Sequence, residues 1–177
     1  MMKIYLILIL AFHTLFSGEI KQTAIDQIYK FFGNEIEISE YKFSIPKKIK
    51  SQIQNTVKQS FFRDKVYYWE IKINDNLCFA VMDNVIGKSM PITFLSIFDS
   101  NGKILNSSII KYREGYGGEV SGKKWLAQFD GMTKDSLYNY PRHISGISGA
   151  TISVKSVTKG ISKLSILAPE IITSHND

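Results

Sequence analysis

The spacing of apolar residues divides the first third of the chain into helical and extended segments. Residues 21–32 carry Ile25, Ile28 and Tyr29 at helical spacing, and Gly33 with Asn34 predicts where this helix ends. Residues 35–45 alternate in part and predict an extended segment. Proline is tolerated in the first turn of a helix, so a second helix is predicted from Pro46, with an apolar stripe at every fourth residue: Ile49, Ile53, Val57 and Phe61.

Beyond Asp64 the pattern becomes that of strands separated by turns. Four segments are rich in β-branched and aromatic residues: 66–74, 77–86, 92–99 and 103–112. The clearest turn signal between them is Ser100-Asn101-Gly102. Short connections of this kind predict an antiparallel meander of about four strands.

The remainder of the chain returns to helical spacing. A short helix is predicted around Trp125 and Phe129, and a final helix from about Thr151 to Leu167, with Val154, Val157, Ile161 and Leu164 as its buried stripe. The predicted fold class is therefore α+β, an antiparallel sheet of about four strands with N-terminal helices and a C-terminal helix.

The N-terminus has the pattern of a secretory signal. Lys3 precedes an apolar run from Ile4 to Phe12, and small residues follow at Ser17 and Gly18. The run is shorter than the roughly 20 residues that a transmembrane helix needs. Cleavage after Ser17 or Gly18 and an uncleaved N-terminal anchor both remain open, and both predict a periplasmic or otherwise extracytoplasmic protein. The chain is accordingly divided into a signal peptide or anchor at 1–18, a helical region at 19–65 and the main domain at 66–170.

The amino-acid composition restricts which partners and cofactors are expected. The 177 residues include 22 basic and 16 acidic side chains, a net charge of +6 that is mostly scattered. A nucleic-acid groove would need basic residues interleaved with aromatics on one face, so no nucleic-acid partner is predicted, while attraction to an anionic membrane surface stays open.

The single cysteine, Cys78, lies in an apolar run and is predicted to be a core residue. The histidines and Cys78 have no metal-binding spacing, so no metal site is predicted, and redox chemistry would need an organic cofactor.

A glycine-rich loop is the first candidate site. Arg113-Glu-Gly-Tyr-Gly-Gly-Glu-Val120 follows the last predicted strand. Glycines at 115, 117 and 118 would let the backbone turn sharply and approach a flat or bulky group. The spacing matches neither a P-loop nor a dinucleotide-binding motif. The alternative is a wide loop that redirects the chain into the next helix.

The second candidate is His143-Ile-Ser-Gly-Ile-Ser-Gly-Ala-Thr151, which opens the final helix. One interpretation is that Ser148 or Thr151 only caps the helix. Capping does not explain why side-chain bulk is missing at Gly146, Gly149 and Ala150. The free N–H groups and the positive end of the helix dipole favour a phosphate beside Thr151. A third interpretation makes Thr151 a nucleophile with His143 as its base.

These residues carry a resemblance to a known family. Ser148-Gly149-Ala150-Thr151 followed by an amphipathic helix resembles the flavinylation motif of the FMN-binding domain, found in the Rnf complex G subunit, the C subunit of the sodium-translocating NADH:quinone reductase and small exported stand-alone proteins. The hairpin at 90–104 and the segment 112–129 look like further landmarks of that family, closest to the stand-alone members. The resemblance covers roughly residues 66–167, and makes the main domain, 66–170, an FMN-binding domain.

The resemblance implies a cofactor and a means of holding it. In the family a flavin transferase joins FMN to the threonine hydroxyl by a phosphoester bond, so the implied acceptor is Thr151. The family motif usually has aspartate six residues earlier, where this chain has Ser145. Tyr116 or Trp125 could stack on the flavin ring, or both could be ordinary core aromatics. Glu114 could hydrogen-bond the flavin or stay in solvent. The implied FMN-binding residues are Thr151, Ala150, Gly149, Ser148, Glu114, Gly117 and Gly118, with no catalytic residue.

The implied function is electron transfer by an exported flavoprotein, between a membrane reductase and an extracytoplasmic acceptor. Its implied partners are the flavin transferase and a membrane electron-transfer complex. On this interpretation the chain is an electron carrier, or a component of a multi-subunit oxidoreductase, rather than an enzyme by itself. The alternative is a non-catalytic accessory module of a membrane redox complex, with FMN bound non-covalently or absent. A reductase with its own small substrate would need a catalytic domain on another polypeptide.

Overall fold

The fold is built on a five-stranded antiparallel sheet. The structure, a computed structural model, describes residues 18–176. Within these, the strands lie side by side in chain order: β1 (Glu37–Ser44), β2 (Lys65–Ile73), β3 (Asn76–Ile86), β4 (Pro91–Asp99) and β5 (Ile104–Lys111). The predicted meander supplies four of them, and β1 joins as the fifth by pairing Ser44 with Lys65 and Glu37 with Lys72.

Helices cover both faces of the sheet. Helix α1 occupies residues 18–32; the others are α2 (Lys47–Val57), the short α3 (Lys123–Leu126) and α4 (Thr151–Asn176). Two 3-10 turns, Gly118–Ser121 and Ala127–Phe129, flank α3. The predicted α+β class is confirmed by this arrangement of helices at both ends of the chain around an antiparallel sheet.

Strand β3 shows why the sequences of the central strands are apolar at consecutive positions. Its side chains alternate between two cores: Phe79 and Val81 pack with α4, while Cys78 and Ala80 pack with Ile28 of α1. A strand covered on both faces needs apolar residues at successive positions. Cys78 is a buried core residue, as predicted.

Two predicted helix boundaries were wrong. Helix α2 ends at Val57, where Lys58 takes the left-handed conformation (φ 55°, ψ 46°), so Phe61 is buried beyond the helix rather than on its stripe. Helix α4 continues past Leu167 and through Pro169 to residue 176. Buried Ile171 anchors this extension in the same core as the rest of α4, and such packing outweighs the helix-breaking tendency of proline.

Helix α4 lies very close to the sheet. A Cβ on Gly160 would come within 2.7 Å of Val85 Cγ1 and 2.8 Å of Phe94 Cζ. Nearby, Lys163 is fully buried and its Nζ lies 2.8 Å from Asp83 Oδ2. Burial raises the pKa of the Asp83 carboxyl, although Lys163 acts in the opposite direction. These contacts set the position of α4 and hence of its first residue, Thr151.

No helix among residues 18–176 is both long and apolar enough to cross a bilayer. The predicted signal peptide or anchor at 1–18 falls outside the described residues, except for Gly18.

Candidate functional site

Thr151 is the first residue of α4 and is exposed. The first turn closes with Val154 N donating to Ala150 O at 2.9 Å. Ala150 therefore stands at the N-cap position, and an alanine has no side-chain acceptor for the free N–H groups that begin a helix. The described first turn also carries no acidic side chain. The start of α4 thus presents N–H donors and a hydroxyl with no acidic side chain in its own first turn.

An open cleft of about 450 Å³ lies in front of Thr151. Its walls come from the β3–β4 loop, the glycine-rich loop and the start of α4: Lys88, Glu114, Gly115, Tyr116, Gly149, Ala150, Thr151, Ile152 and Ser153. This volume lies within the usual range for small-molecule and cofactor sites, about 300–1,000 Å³. Four of the seven predicted FMN-binding residues meet here: Glu114, Gly149, Ala150 and Thr151.

Two glycines leave the cleft clear of side chains. A Cβ on Gly149 or Gly115 would meet no atom within 4 Å. Gly149 also has φ +79°, in the left-handed region that favours glycine. Gly146, by contrast, packs on Tyr140, whose hydroxyl would be 3.0 Å from an added Cβ. The predicted steric clearance before Thr151 therefore comes from Gly149 and not from Gly146.

Gly117 joins the glycine-rich loop to α4 rather than lining the cleft. It has φ +83°, and an added Cβ would lie 2.8 Å from Tyr112 Oη and 3.3 Å from Ala150 Cβ. The Tyr112 hydroxyl bonds to Tyr116 O and to Ser153 Oγ, the latter at 3.0 Å. Tyr112 was not singled out from the sequence, because its partner lies 41 residues further along the chain.

Gly118 and Ser148 do not line the cleft. Gly118 starts a 3-10 turn and is exposed, and an added Cβ would only touch the Tyr112 ring at 3.8 Å. Ser148 is exposed on the turn that leads into α4. The structure thus separates these two residues from the four that meet in the cleft.

The Glu114 carboxylate holds the β3–β4 loop. It accepts hydrogen bonds from Ser89 N at 2.7 Å, Met90 N at 2.9 Å and Ser89 Oγ at 3.1 Å. These bonds, with the Met90 N–H first, keep the pKa of the Glu114 carboxyl below its ordinary value. A Cβ on Gly87 would come within 2.6 Å of Glu114 Oε1, so a side chain there would displace the carboxylate from these bonds. Glu114 thereby places Lys88, a cation that no sequence motif had indicated, on the wall of the cleft.

The two candidate stacking aromatics have different environments. Tyr116 is 91% exposed and lines the cleft. Trp125 is buried, packs edge-to-face on Phe129 and donates from Nε1 to Ser145 O at 2.8 Å. Trp125 is thus a core residue that holds the turn before Thr151, and Tyr116 is the aromatic placed to meet a ligand in the cleft.

Ser145 is fixed through its backbone while its side chain remains exposed. Its N–H donates to Gln128 Oε1 at 2.8 Å, and its carbonyl accepts from Trp125. His143 is also exposed. The carboxylate that the family usually has at position 145 is therefore replaced by a surface hydroxyl, with the turn itself held in place.

The cleft lies within a segment that matches known proteins. Residues 87–165 match the FMN-binding domain. This span begins at the β3–β4 loop and includes the glycine-rich loop and the first half of α4, so the predicted resemblance is confirmed where the site is built. A relative, the G subunit of the proton-translocating ferredoxin:NAD(+) oxidoreductase complex of Clostridium ljungdahlii, is 29% identical over 104 residues. The match covers 55% of this chain and 56% of that protein, so the chain spans about half the length of its relative. Together these similarities indicate FMN as the cofactor.

The residues of the cleft fit this cofactor. The start of α4 offers N–H donors for a phosphate, Gly149 and Gly115 leave room beside it, and the exposed Tyr116 ring can cover a flat ring system. Lys88 adds one positive charge to the wall. An anionic phosphate and an aromatic ring therefore both have complementary groups in the cleft.

Proposed function

We propose that the chain is an exported flavoprotein that holds FMN through a phosphoester on Thr151 and passes electrons between a membrane reductase and an extracytoplasmic acceptor. The observation that carries the proposal is the exposed Thr151 hydroxyl at the start of α4, facing a cleft of about 450 Å³. Formally, attachment joins the hydroxyl oxygen to the FMN phosphorus with loss of one water. The relative's place as the G subunit of a redox complex supports a membrane electron-transfer complex as partner.

Each element of the cleft has a role in this proposal. The N–H groups of the first turn of α4 stabilise the phosphate charge, and Gly149 leaves room for the chain between phosphate and ring. Tyr116 covers the ring, while Glu114 keeps Lys88 at the wall. The bound FMN supplies the electron-transfer chemistry, and the protein supplies attachment, orientation and local charge. Covalent attachment would also prevent loss of the cofactor outside the cytoplasm.

The test is the intact mass of the chain exported from a host that has a flavin transferase. The unchanged chain is expected to gain the mass of FMN less one water. Thr151→Ala removes the acceptor oxygen and is expected to abolish the gain, while Thr151→Ser keeps a hydroxyl and controls for the change of side chain. A gain that persists in Thr151→Ala would refute Thr151 as the attachment site.

The serine at position 145 favours one alternative, a module of a membrane redox complex with FMN held non-covalently or absent. Its exposed side chain offers a transferase no carboxylate. Under this alternative the unchanged chain keeps its unmodified mass, and Ser145→Asp, placed on a turn already held by Gln128 and Trp125, acquires FMN. Flavin absorbance that disappears on denaturation and filtration would identify non-covalent FMN, and absence of absorbance would identify a flavin-free module.

A further inference from the structure

A second surface of the protein gathers basic side chains at one end of the sheet. Two adjoining cavities, of about 350 and 220 Å³, share Arg63, Lys65, Val66 and Tyr67 as lining residues. Five basic residues line them, and we call these the basic face: Lys21, Lys42, Arg63, Lys65 and Arg113. They come from α1, β1, the segment before β2, the start of β2 and the segment after β5, so only the tertiary structure brings them together.

The acidic residues at the basic face are already neutralised. Among the described residues that line the two cavities, the acids are Asp64 and Asp83. Asp64 pairs with Lys50 at 2.5 Å and Asp83 with Lys163 at 2.8 Å, and neither lysine lines the cavities. Lys21 is likewise paired with Glu40, which lies outside the cavities. Four of the five basic side chains therefore have no ion-pair partner among the described residues, and the face is suited to an anion.

Two of the three lysines of the basic face lie over one aromatic ring. Lys21 Nζ lies 4.3 Å and Lys42 Nζ 5.2 Å from the centre of the Tyr67 ring. Glu40 pairs with Lys21, whereas Arg63 and Lys65 are exposed beside the ring. Gathering like charges is unfavourable unless an anion or solvent screens them. Such a cluster is typical of surfaces that meet phosphate groups.

The position of the basic face in the chain indicates which phosphates it meets. Ile20 and Lys21 line the larger cavity, and Ile20 follows the end of the apolar run Ile4–Phe12 by about eight residues. Phe62, 45% exposed, lines the same cavity and adds an apolar side chain among the basic ones. Basic residues next to an apolar segment are the pattern that anionic bilayers attract.

We infer that the basic face docks on an anionic phospholipid bilayer, with Lys42, Arg63 and Lys65 near lipid phosphates. The cofactor cleft opens at the same end of the sheet, because β3 ends and β4 begins there and Arg113 directly precedes Glu114. Docking therefore holds the cleft close to the membrane surface. This last consequence rests on the proposed function, whereas lipid binding by the basic face does not.

The test compares the full chain on vesicles of phosphatidylcholine alone and of phosphatidylcholine with about one-third phosphatidylglycerol. An apolar segment contributes to binding on both, so the ratio of the two partition coefficients isolates the charge effect. Each basic residue near an anionic surface strengthens binding about five-fold. The triple variant Lys42→Gln, Arg63→Gln, Lys65→Gln is expected to lower the ratio by about 100-fold.

A matched control removes three charges elsewhere. Lys72→Gln, Lys103→Gln, Lys124→Gln leaves the basic face intact, since these exposed lysines do not line its cavities, and Lys72 and Lys103 lie at the opposite end of the sheet. It is expected to change the ratio by less than about five-fold. If both triple variants lower the ratio equally, the preference for anionic vesicles depends on net charge alone, and the inference is overturned. If the first triple variant leaves the ratio unchanged, the inference is also overturned, and an acidic protein becomes the expected partner of the basic face.

Hydrogen exchange covers the case in which the chain is bound completely to both kinds of vesicle. Amides at 62–66 are expected to exchange more slowly on phosphatidylglycerol vesicles, and those at 100–103 to exchange equally on both. Equal exchange at 62–66 overturns the inference. Flavin content is read by absorbance and mass in the same samples, so a chain without FMN that still shows the lipid preference refutes the proposed function and not the docking surface.

Discussion

Replacing Gly117 with alanine tests how the glycine-rich loop is joined to the site. A Cβ at this position would lie 2.8 Å from Tyr112 Oη and 3.3 Å from Ala150 Cβ. The Tyr112 hydroxyl has little freedom to retreat, because it bonds both to Tyr116 O and to Ser153 Oγ. The added methyl group is therefore expected to separate the loop from the start of α4.

The size of the effect follows from three contributions. A left-handed conformation costs a non-glycine residue about 1–2 kcal/mol, and loss of the hydrogen bond between Tyr112 and Ser153 adds about 1 kcal/mol. Alanine restricts the unfolded chain, which offsets about 0.4–1 kcal/mol. The expected loss in free energy of unfolding is about 2 kcal/mol. With a urea m-value of about 2 kcal/mol per M, the unfolding midpoint falls by about 1 M.

Gly115→Ala is the matched control in the same loop. No atom lies within 4 Å of a Cβ at Gly115, and its φ is outside the left-handed region. Its urea midpoint is expected to stay the same or to rise slightly, because alanine restricts the unfolded chain. Urea unfolding followed by tryptophan fluorescence compares the two variants. Equal midpoint shifts in Gly117→Ala and Gly115→Ala would refute the role of Gly117 in joining the loop to α4.

Three further predictions concern the core beneath the site. Gly160→Ala places a methyl group 2.8 Å from Phe94 Cζ. The cost of overpacking, about 1–3 kcal/mol, should exceed the gain of about 1 kcal/mol in helix propensity, so the midpoint of urea unfolding is expected to fall. A higher midpoint would contradict the close approach of α4 to the sheet. Lys163→Met leaves the buried Asp83 without its partner and should lower the free energy of unfolding by about 3–5 kcal/mol at pH 7. Adding Asp83→Leu should restore most of this loss, and failure to do so would show that the lysine acts through other contacts. Burial raises the pKa of Tyr138 to about 12, above the ordinary value of 10. The buried neutral phenol therefore contributes fully to the free energy of unfolding below pH 10, and this contribution is lost as the pH rises to 12. The free energy of unfolding of Tyr138→Phe should therefore decline less between pH 10 and pH 12 than that of the unchanged chain.

Local patterns predicted most of the fold and the position of Thr151 at the start of the last helix. Periods of two and of about 3.6 residues reflect strand and helix geometry, which each segment carries within itself. The four-strand meander and the start of α4 at Thr151 were found in this way. The helix boundaries at Val57 and residue 176 were missed, since a left-handed Lys58 and the burial of Ile171 depend on contacts made after folding.

Several roles in the site depended on partners distant in sequence. Glu114 was predicted as a flavin contact, and its bonds to Ser89 and Met90, 24–25 residues away, make it a support for the loop that carries Lys88. Trp125 could not be distinguished from Tyr116 by sequence, because both are aromatics near glycines. Their difference in exposure comes from how α3 packs against the sheet.

The sequence by itself determined most of the elements, the α+β class and the glycine-alanine-threonine turn whose resemblance to a family motif predicted FMN, because each depends on residues that are neighbours in the chain. Only the tertiary structure decided that β1 completes the sheet, that Gly149 rather than Gly146 clears the cleft, and that five basic residues from separate elements form one face. Charges and hydroxyls act through distance in space, and chain folding sets that distance for residues that the sequence keeps far apart.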